Sequence, residues 1–335
     1  MAAPFFSIII PVHNGTATLG QCLQSVFDSA FREWELIVVD DGSTDSSAEV
    51  ARQAGLRVMV TDGRLGPAAA RNLGAEAANG RYLFFTDADC QLHRETLARA
   101  AHILQADAGL DALFGSYDDE PAASNFISQY KNLFHHAIHQ TSSEKATTFW
   151  AGCGAIRRDR FLVLGGFDAR RYPRPAIEDV ELGYRLTQAS GRIRLAKEVQ
   201  VKHLKRWTLI SLLRSDICDR AIPWARLLHQ QRPMPADLNL QMHHRLSAAA
   251  LSLMLAMLLW GGTAVSLLPL TLALTSGIFL LWLNHDLYRF FYRKRGLIFT
   301  LRAIPLHWLY YTYSAAVFGV VKLLFGVNRK SHYTF

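Results

Sequence analysis

The stretch FFSIIIPVHN, residues 5–14, is an apolar run that ends in polar side chains. A second stretch, ELIVVDD at residues 35–41, has the same form and ends in two adjacent carboxylates. Short apolar runs bounded by polar residues are typical of strands buried in a sheet. A segment long enough for one helix separates the two runs. The pattern therefore predicts the opening of an α/β sheet with parallel strands.

Two more apolar runs follow, LRVMVT at residues 56–61 and RYLFFTD at residues 81–87. Between them, Gly66-Pro67 is expected to open an Ala-rich helix and Gly80 to close it. Repeated alternation of strand and helix predicts a mostly parallel sheet with helices on both faces. In such sheets, ligands bind beyond the carboxyl ends of the strands. The acidic residues that follow two of these strands therefore predict a ligand site.

Charge is distributed unevenly along the 335 residues, whose net charge is +8. Residues 1–189 contain 17 Lys/Arg and 23 Asp/Glu, whereas residues 190–245 contain 11 and 4. Residues 284–335 contain 8 and 1. An acidic head followed by basic segments suggests contact with an anionic membrane surface. Nucleic acid would attract the same segments but would not explain the apolar run between them, so it is not expected as a partner.

That apolar run, from Leu246 to Leu283, has 38 residues and no charged side chain. One helix of this length would extend about 57 Å, nearly twice the hydrocarbon core of about 30 Å. A hairpin broken near Gly261-Gly262 is the better interpretation, with the basic residues that follow it on the cytoplasmic side. Residues 304–325 are a third candidate span, which either crosses the membrane or lies in its interface.

Residues 203–245 are expected to form amphipathic helices in the membrane interface. Between His203 and Leu228, apolar residues at helical spacing are interleaved with four arginines and two tryptophans. This composition is typical of interfacial helices, although an ordinary packed helix pair with a solvated basic face is the alternative. The expected organisation is a catalytic domain at residues 1–202, then these helices, then a membrane region at residues 246–335.

The cysteines indicate the compartment. Cys22, Cys90, Cys153 and Cys218 have no paired spacing, so they indicate neither a disulfide framework nor a cysteine-based metal site. They suit a reducing compartment. No basic segment precedes the first apolar run, so no signal peptide is expected here. We expect the head to lie in the cytoplasm, attached to the cell (inner) membrane.

Six short motifs form an ordered set: SIIIPVHN at 7–14, VVDDGSTD at 38–45, GPAAARN at 66–72, TDAD at 86–89, GGFD at 165–168 and ED at 178–179. Together they resemble the family-2 glycosyltransferases over roughly residues 5–210. The resemblance implies an inverting enzyme of the GT-A fold, the Rossmann-like fold of nucleotide-diphospho-sugar transferases, here with C-terminal membrane helices. A dinucleotide-binding glycine motif and a P-loop are both absent from the sequence.

The resemblance assigns the nucleotide-sugar to residues that follow the first two strands: Pro11, His13, Asn14, Asp40 and Asp41. A carboxylate at a strand end can accept the imide N–H of uracil or thymine, and this role falls to Asp41, with Asp40 beside it. Asx-turn formation is the alternative in this segment, and it fits Asp45 and Ser43 better. Arg71 is expected to meet the diphosphate near a helix N-terminus, with an ordinary surface arginine as the alternative.

Acidic residues carry the expected chemistry. Asp87 and Asp89 follow the fourth strand, where alternation would send both carboxylates toward a ribose and a divalent cation, Mg²⁺ or Mn²⁺. The resemblance makes Asp89 the metal ligand. Inverting transfer to a hydroxyl also needs a carboxylate that takes the acceptor proton. The resemblance places this catalytic base at Asp179, with Glu178 as its rival and helix capping as the structural alternative for either.

The segment HLKRW, residues 203–207, resembles the Gln-x-x-Arg-Trp element of processive synthases, with His203 in place of glutamine. His203 is expected either as a further metal ligand or as a packed residue. Arg206 and Trp207 are assigned to the diphosphate and the acceptor. Trp207 would either stack on a sugar acceptor or anchor the interfacial helix.

Two departures narrow the expected function. No membrane helix is expected before the catalytic segment, unlike in most processive synthases, so transfer of one sugar per encounter is expected. Polyprenyl-phosphate sugar synthases need no base, because a phosphate with a second pKa near 6 is already largely ionised. A candidate base therefore favours transfer from a nucleotide-sugar, such as a UDP-sugar, to a hydroxyl acceptor on a membrane lipid. A polyprenyl-phosphate glycosyltransferase is the alternative.

Overall fold

The computed structural model describes residues 3–230, 238–262 and 266–330. They belong to two compact units, Met1–Thr208 and Leu209–Phe335. The strands of the first unit are β1 (Phe6–Val12), β2 (Trp34–Asp40), β3 (Val58–Val60), β4 (Tyr82–Thr86), β5 (Cys90–Leu92), β6 (Ala112–Tyr117), β7 (Lys145–Ala146), β8 (Cys153–Arg157) and β9 (Ile193–His203). Its helices are α1 (Thr16–Phe27), α2 (Ser47–Gln53), α3 (Pro67–Glu76), α4 (Thr96–Ala106), α5 (Phe126–Thr141), α6 (Arg158–Val163) and α7 (Glu178–Gln188).

The strands form one sheet in the order β3-β2-β1-β4-β8-β6-β9-β5, with β7 paired to β9. The half built from β3, β2, β1 and β4 is parallel, and the predicted α/β fold is confirmed. β8 then runs antiparallel to β4 and β6, while β5 runs antiparallel to β9. The short β5 consequently brings the segment after β4 against the carboxyl end of β9.

Every residue of β1 is buried, because helices cover both faces of the sheet at this strand. Ile8 and Ile10 belong to a core that includes Leu19 of α1. Ile9 faces α3 instead, and a Cβ added to Gly74 of that helix would lie 2.7 Å from the Ile9 Cγ2 atom. Burial on both faces explains why the β1 sequence is continuously apolar rather than alternating.

The helix predicted between Gly66 and Gly80 is present but shorter. α3 ends at Glu76, and Ala77, in the right-handed helical region, is its C-cap. Gly80 therefore does not close the helix. The backbone of β1 passes so near Gly80 that a Cβ there would lie 2.4 Å from the Ser7 nitrogen. Close approach of two backbones, rather than helix termination, requires the glycine.

The first unit extends past residue 202, where the sequence suggested a boundary. β9 continues to His203, and Trp207 is only 5% exposed. The helices of the second unit begin with α8 (Leu209–Arg214), a π-helix (Ser215–Ala221) and α9 (Ile222–Gln230). Residues 203–208 are therefore not part of an amphipathic helix. The predicted interfacial region also includes residues 231–237, which lie outside the described residues.

The second unit continues with a 3₁₀ turn (Leu238–Leu240), α10 (Met242–Gly261), α11 (Leu268–Leu283) and α12 (His285–Lys330). α10 and α11 are the predicted helix pair, with the expected break after Gly261, and residues 263–265 lie outside the described residues. Met254 and Gly277 bring the pair into contact, since a Cβ on the glycine would lie 3.3 Å from the methionine sulfur. α12 is broken at Gly296, where φ is 79°.

Among the described residues, α10 is the single helix long and apolar enough to cross a membrane. α11 has 16 residues, which extend about 24 Å and fall short of a hydrocarbon core of about 30 Å. It meets the same criterion only together with α12, from which it is bent by 62°. Of the two spans predicted within residues 246–283, only the one formed by α10 is supported by its own length and composition. The third candidate, residues 304–325, is part of α12.

Gly80 provides a test of the close approach between β1 and the loop that follows α3. Gly80→Ala is expected to lower the free energy of unfolding by about 2–3 kcal/mol, because the added methyl group would displace the β1 backbone. Gly20→Ala, at an exposed position of α1 where a Cβ meets nothing within 4 Å, is the matched control. Gly20→Ala is expected to raise the free energy of unfolding by about 0.5–1 kcal/mol, because alanine favours the helix more than glycine does. Thermal unfolding followed by tryptophan fluorescence measures both changes, and equal effects would contradict the assigned role of Gly80.

Candidate active site

Acidic residues meet at the carboxyl edge of the parallel strands. Oxygens of Asp87 and Asp89 and the sulfur of Cys90 all lie within 4.8 Å of one another. The chain turns here rather than continuing as a strand, since the Cys90 N–H donates to the Asp87 carbonyl at 2.9 Å. The turn, not the strand alternation that the sequence suggested, places the two carboxylates together. Their side chains are 34% and 27% exposed, so both can be reached by a ligand.

The end of β9 lies against this turn. In the pairing of β5 with β9, His203 is opposite Cys90. The His203 Nε2 atom lies 3.7 Å from an oxygen of Asp89, and its ring stacks on Tyr117 at a centroid distance of 4.2 Å. His203 is therefore both a packed residue and a neighbour of the expected metal ligand. Cys90 was not expected in this cluster, because its place depends on the turn and on β9.

The two aspartates have opposite electrostatic environments. The surrounding protein desolvates Asp87 and raises the pKa of its carboxyl group, an effect that Arg71 only partly opposes. Desolvation alone would also raise the pKa of Asp89, but His203 and Lys205 favour its ionised form more strongly, so the pKa of Asp89 is lowered. Before any cation binds, Asp89 is thus the carboxylate that more readily carries the negative charge.

Arg71 lies between two acidic side chains. Its Nη2 atom is 2.7 Å from Asp87 and its Nη1 atom is 2.8 Å from Glu178. The residue is 5% exposed, so the alternative of a surface arginine is wrong. The expected direct contact with a diphosphate is not supported either, because the guanidinium is buried and already neutralised by two carboxylates. Arg71 instead joins the edge of the sheet to the first turn of α7.

Asp179 and Glu178 begin α7 but have different surroundings. Glu178 accepts hydrogen bonds from Arg71 and, at 3.0 Å, from the Ala176 N–H. Asp179 accepts the Ala151 N–H at 3.0 Å and the Val180 N–H at 2.8 Å. Desolvation, reinforced by the negative charge of Glu178, raises the pKa of Asp179 to about 7. A carboxyl group with this pKa exchanges a proton near neutral pH, as a general base must.

Asp41 is largely committed to its own loop. One carboxylate oxygen accepts the Leu65 N–H at 2.7 Å and the Thr61 hydroxyl at 3.1 Å, and the other accepts the Gly66 N–H at 2.8 Å. Asp41 is 3% exposed. These contacts make Asp41 hold the loop before α3, and its predicted contact with the nucleobase stays a prediction. Asp40 is also buried and accepts the Ser43 N–H at 3.1 Å.

The residues after β1 shape the neighbouring loop. Asn14 has a left-handed conformation, with φ of 53°, and its side-chain oxygen accepts the Thr44 N–H at 2.8 Å. The His13 Nδ1 atom lies 2.9 Å from the Asp41 carbonyl. Pro11 is a buried strand residue paired with Val39. These residues lie beside the edge where a nucleotide was expected, and their observed contacts hold that edge together.

The structure bears on the expected stacking role of Trp207, whereas the role expected of Arg206 stays a prediction. The Trp207 ring is buried, so little of its surface remains for stacking on an acceptor. Arg206 is exposed. Lys205, which sequence reasoning did not select, places its Nζ atom 4.3 Å from the centre of the Trp207 ring. The positive charge of Lys205 also contributes to the lowered pKa of Asp89.

The GGFD motif lines a separate cleft of about 440 Å³, together with Asn72 of α3 and Arg185 of α7. The Asn72 side chain accepts the Phe167 N–H at 2.9 Å and donates to its carbonyl at 2.8 Å. Gly165 and Gly166 have φ of 78° and 69°, which favours glycine at both positions. The motif therefore forms a tight turn that α3 holds against α7.

The raised pKa of Asp179 predicts a pH-dependent stability. The folded-state pKa of about 7 lies above the unfolded value, so the folded state binds the extra proton and stability falls as pH rises toward 7. Asp179→Asn removes this cost. Its advantage over wild type in free energy of unfolding, measured in EDTA, is expected to be about 2 kcal/mol larger at pH 8 than at pH 5.

Asp159→Asn is the control for that measurement. Arg157 lowers the pKa of Asp159, so this carboxylate is ionised throughout the same pH range in both states. Its substitution is expected to have the same small effect at pH 5 and pH 8. A pH-independent effect of Asp179→Asn would show that its carboxyl group titrates normally.

Comparison with known proteins agrees with this geometry. The family described as "Glycosyl transferase family 2" matches residues 7–164. Glycosyltransferase AglE of Haloferax volcanii is 35% identical over 150 residues, which cover 42% of this chain and 49% of that protein. A PGL/p-HBAD biosynthesis glycosyltransferase of Mycobacterium tuberculosis is 38% identical over 121 residues, which cover 34% of this chain and 47% of that protein. The matches thus span about half the length of these curated relatives.

Solved structures share the fold at low sequence identity. TarS 1-349 of S. aureus in complex with UDP-GlcNAc is 18% identical, with a TM-score of 0.53 over 93% of this chain and 90% of that one. Mannosyltransferase PcManGT from Pyrobaculum calidifontis, in complex with GDP-Man and Mn²⁺, is also 18% identical. Its TM-score is 0.50, and the match covers 96% of this chain and 87% of that one. Together with the observed sheet, these matches show that residues 7–164 carry a glycosyltransferase family 2 domain and that the chain has the GT-A fold.

Proposed function

We propose that this chain transfers one sugar from a nucleotide-sugar, a UDP-sugar in the first instance, to a hydroxyl group with inversion at the anomeric carbon. One observation carries the proposal. Arg71 connects two acidic sites: the partly exposed Asp87 and Asp89 pair, and the first turn of α7, where the pKa of Asp179 is about 7. The first suits a cation and the second suits a base. The nucleotide-sugars bound by TarS and PcManGT support the same donor class.

A divalent cation, Mg²⁺ or Mn²⁺, would be held by Asp89 and Asp87. Their oxygens are close enough together to share one ion, and carboxylates are the donors that these cations prefer. His203 lies beside Asp89 as the further predicted donor. When bound, such a cation neutralises charge on the departing diphosphate. PcManGT was solved with Mn²⁺.

Asp179 would act as the base. As the acceptor oxygen attacks C1 of the sugar, the ionised carboxylate takes the hydroxyl proton, and the nucleoside diphosphate leaves with the electrons of the C1–O bond. A single displacement of this kind inverts C1. Glu178 is less suited, because Arg71 neutralises it and the Ala176 N–H occupies its other oxygen. The base also favours a hydroxyl over a phosphate acceptor.

We further propose that the acceptor is a membrane lipid and that the head lies on the cytoplasmic face of the cell membrane. Several features of the second unit support this. α10 is long and apolar enough to cross a bilayer. Large apolar side chains on α10 and α11 are exposed, among them Leu259 at 78% and Trp282 at 64%. Basic residues between 284 and 302 would face anionic headgroups.

Two substitutions separate donor binding from chemistry. Asp89→Asn is expected to abolish the Mn²⁺-dependent part of nucleotide affinity, measured by calorimetry with UDP and GDP, together with transfer. Asp179→Asn is expected to retain that affinity while transfer falls by about 10²–10⁴. Asp159→Asn, an exposed carboxylate on α6, is the control. Undiminished turnover in EDTA contradicts the metal role, and near-normal transfer by Asp179→Asn would favour the polyprenyl-phosphate acceptor.

Flotation on lipid vesicles tests the membrane assignment. Full-length protein is expected to float with vesicles of phosphatidylcholine and phosphatidylglycerol, because the exposed apolar helices insert. A chain ending at Thr208, the limit of the first compact unit, is expected to stay in solution with circular dichroism typical of a folded α/β protein. Equal flotation of both chains would place the membrane contact in the first unit. Absence of flotation by the full-length chain would contradict membrane association.

A further inference from the structure

A donor diphosphate needs more positive charge than one cation supplies at this site. The positive charges of a divalent ion and of Arg71 are together balanced by the three carboxylates of Asp87, Asp89 and Glu178. Arg71, which was predicted to contact the diphosphate, is buried between Asp87 and Glu178. Its guanidinium is already neutralised. Another basic side chain must therefore meet the diphosphate.

The backbone after β9 places Lys205 beside the acidic pair. The Leu204 N–H donates to the Asp89 carbonyl at 2.8 Å, one residue before Lys205. On the other side of Leu204, His203 is paired with Cys90 and lies 3.7 Å from Asp89. The position of residue 205 is thus determined by backbone contacts on the same turn that carries Asp87 and Asp89. Lys205 itself is exposed.

A buried indole fixes the direction of the Lys205 side chain. Its Nζ atom lies 4.3 Å from the centre of the Trp207 ring, within the range of a cation–π interaction. The backbone of Trp207 is fixed, because its main-chain N–H donates to the Ser128 hydroxyl at 2.7 Å and its carbonyl accepts from the Asn125 side chain at 2.8 Å. A long, flexible lysine would otherwise lose conformational entropy on binding a ligand. Contact with the ring removes part of that cost in advance.

We propose that Lys205, supported by Trp207, is the cation that binds the diphosphate of the donor next to Asp87 and Asp89. The inference rests on the proposed function, since it requires a nucleoside diphosphate at that pair. The lysine ammonium offers three N–H donors to phosphate oxygens and would also stabilise the charge of the departing nucleotide. Trp207 is a positioning residue, not an acceptor platform. Arg206, also exposed, has no comparable support.

Calorimetric titration of the full-length protein with UDP in Mn²⁺ tests the assignment. Lys205→Met is expected to weaken UDP binding by about 10- to 100-fold, the loss of one charge-assisted contact. The loss for UMP, which lacks the β-phosphate, is expected to be smaller. Lys205→Arg should restore UDP binding to within about threefold of wild type, because charge and ring contact are retained. If UDP does not bind, GDP and GMP replace the pair.

Lys145→Met is the matched control. Lys145 is an exposed lysine of the same unit, paired with Arg194 nine residues before His203 along β9. It therefore lies about 30 Å from the site by strand rise. Removing its charge changes the net charge equally and is expected to alter UDP affinity by less than about twofold. Equal losses in Lys205→Met and Lys145→Met would overturn the proposal, as would a larger loss in Arg206→Met.

A double-mutant cycle tests the role of Trp207. In a Trp207→Leu background, Lys205→Met is expected to cost clearly less UDP affinity than in wild type, because the lysine is no longer directed. Circular dichroism verifies that the Trp207→Leu chain is folded. Fully additive effects would contradict the positioning role. Failure of wild type to bind any nucleoside diphosphate in a metal-dependent way would overturn the proposed function itself, whereas wild-type binding that is insensitive to Lys205 overturns only this inference.

Discussion

The buried guanidinium of Arg71 is the interaction on which the rest of the site depends. It contacts Asp87 and Glu178, residues that are 16 and 107 positions away along the chain. Breaking a buried ion pair by removing one partner typically costs about 3–5 kcal/mol, since the remaining charge is left in a poorly solvated place. Two carboxylates would be left here. Arg71 therefore keeps the Asp87 and Asp89 pair and the first turn of α7 in one fixed arrangement.

This arrangement also differentiates the acidic residues. Arg71 neutralises Glu178, while Asp179, the next residue, is desolvated and repelled by Glu178, which raises the pKa of Asp179 to about 7. On the other side, the pKa of Asp87 is raised and that of Asp89 is lowered. Side chains of one chemical type thus acquire distinct tasks from their surroundings. A base poised near neutral pH and a carboxylate ready for a cation are what the proposed metal-assisted inverting transfer requires.

The second unit contains its own polar interior. Asn284 donates to the Ser247 hydroxyl at 3.0 Å and accepts from the Tyr311 hydroxyl at 3.0 Å, and His244 lies 2.8 Å from the same tyrosine. These side chains join α10 to the end of α11 and to α12. In an apolar environment each buried polar group needs a partner, so such a network defines how the helices pack. It lets the outward surface remain apolar, which suits the proposed location in a membrane.

The amino-acid sequence by itself determined the first strands, the order of the motifs and the resemblance of residues 7–164 to a known family. Residues 5–12 and 35–39 are continuous apolar runs, which is the pattern of strands buried on both faces of a sheet. Such strands can be recognised from the local sequence. It also determined which edge of the sheet carries the acidic residues, since carboxyl ends of parallel strands coincide. The break after Gly261 was likewise predictable, because an uninterrupted apolar helix would have exceeded the thickness of a bilayer.

Only the tertiary structure decided which partner each polar group takes. Arg71 was expected to meet a diphosphate, but strand and helix packing surrounds it with Asp87 and Glu178. Asp41 accepts hydrogen bonds from the loop before α3, contacts that the sequence did not indicate. Trp207 is buried under Lys205 because β9 continues to the turn at Asp89. These contacts join residues far apart in the chain, and an isolated residue pattern carries no information about which charges burial will bring together.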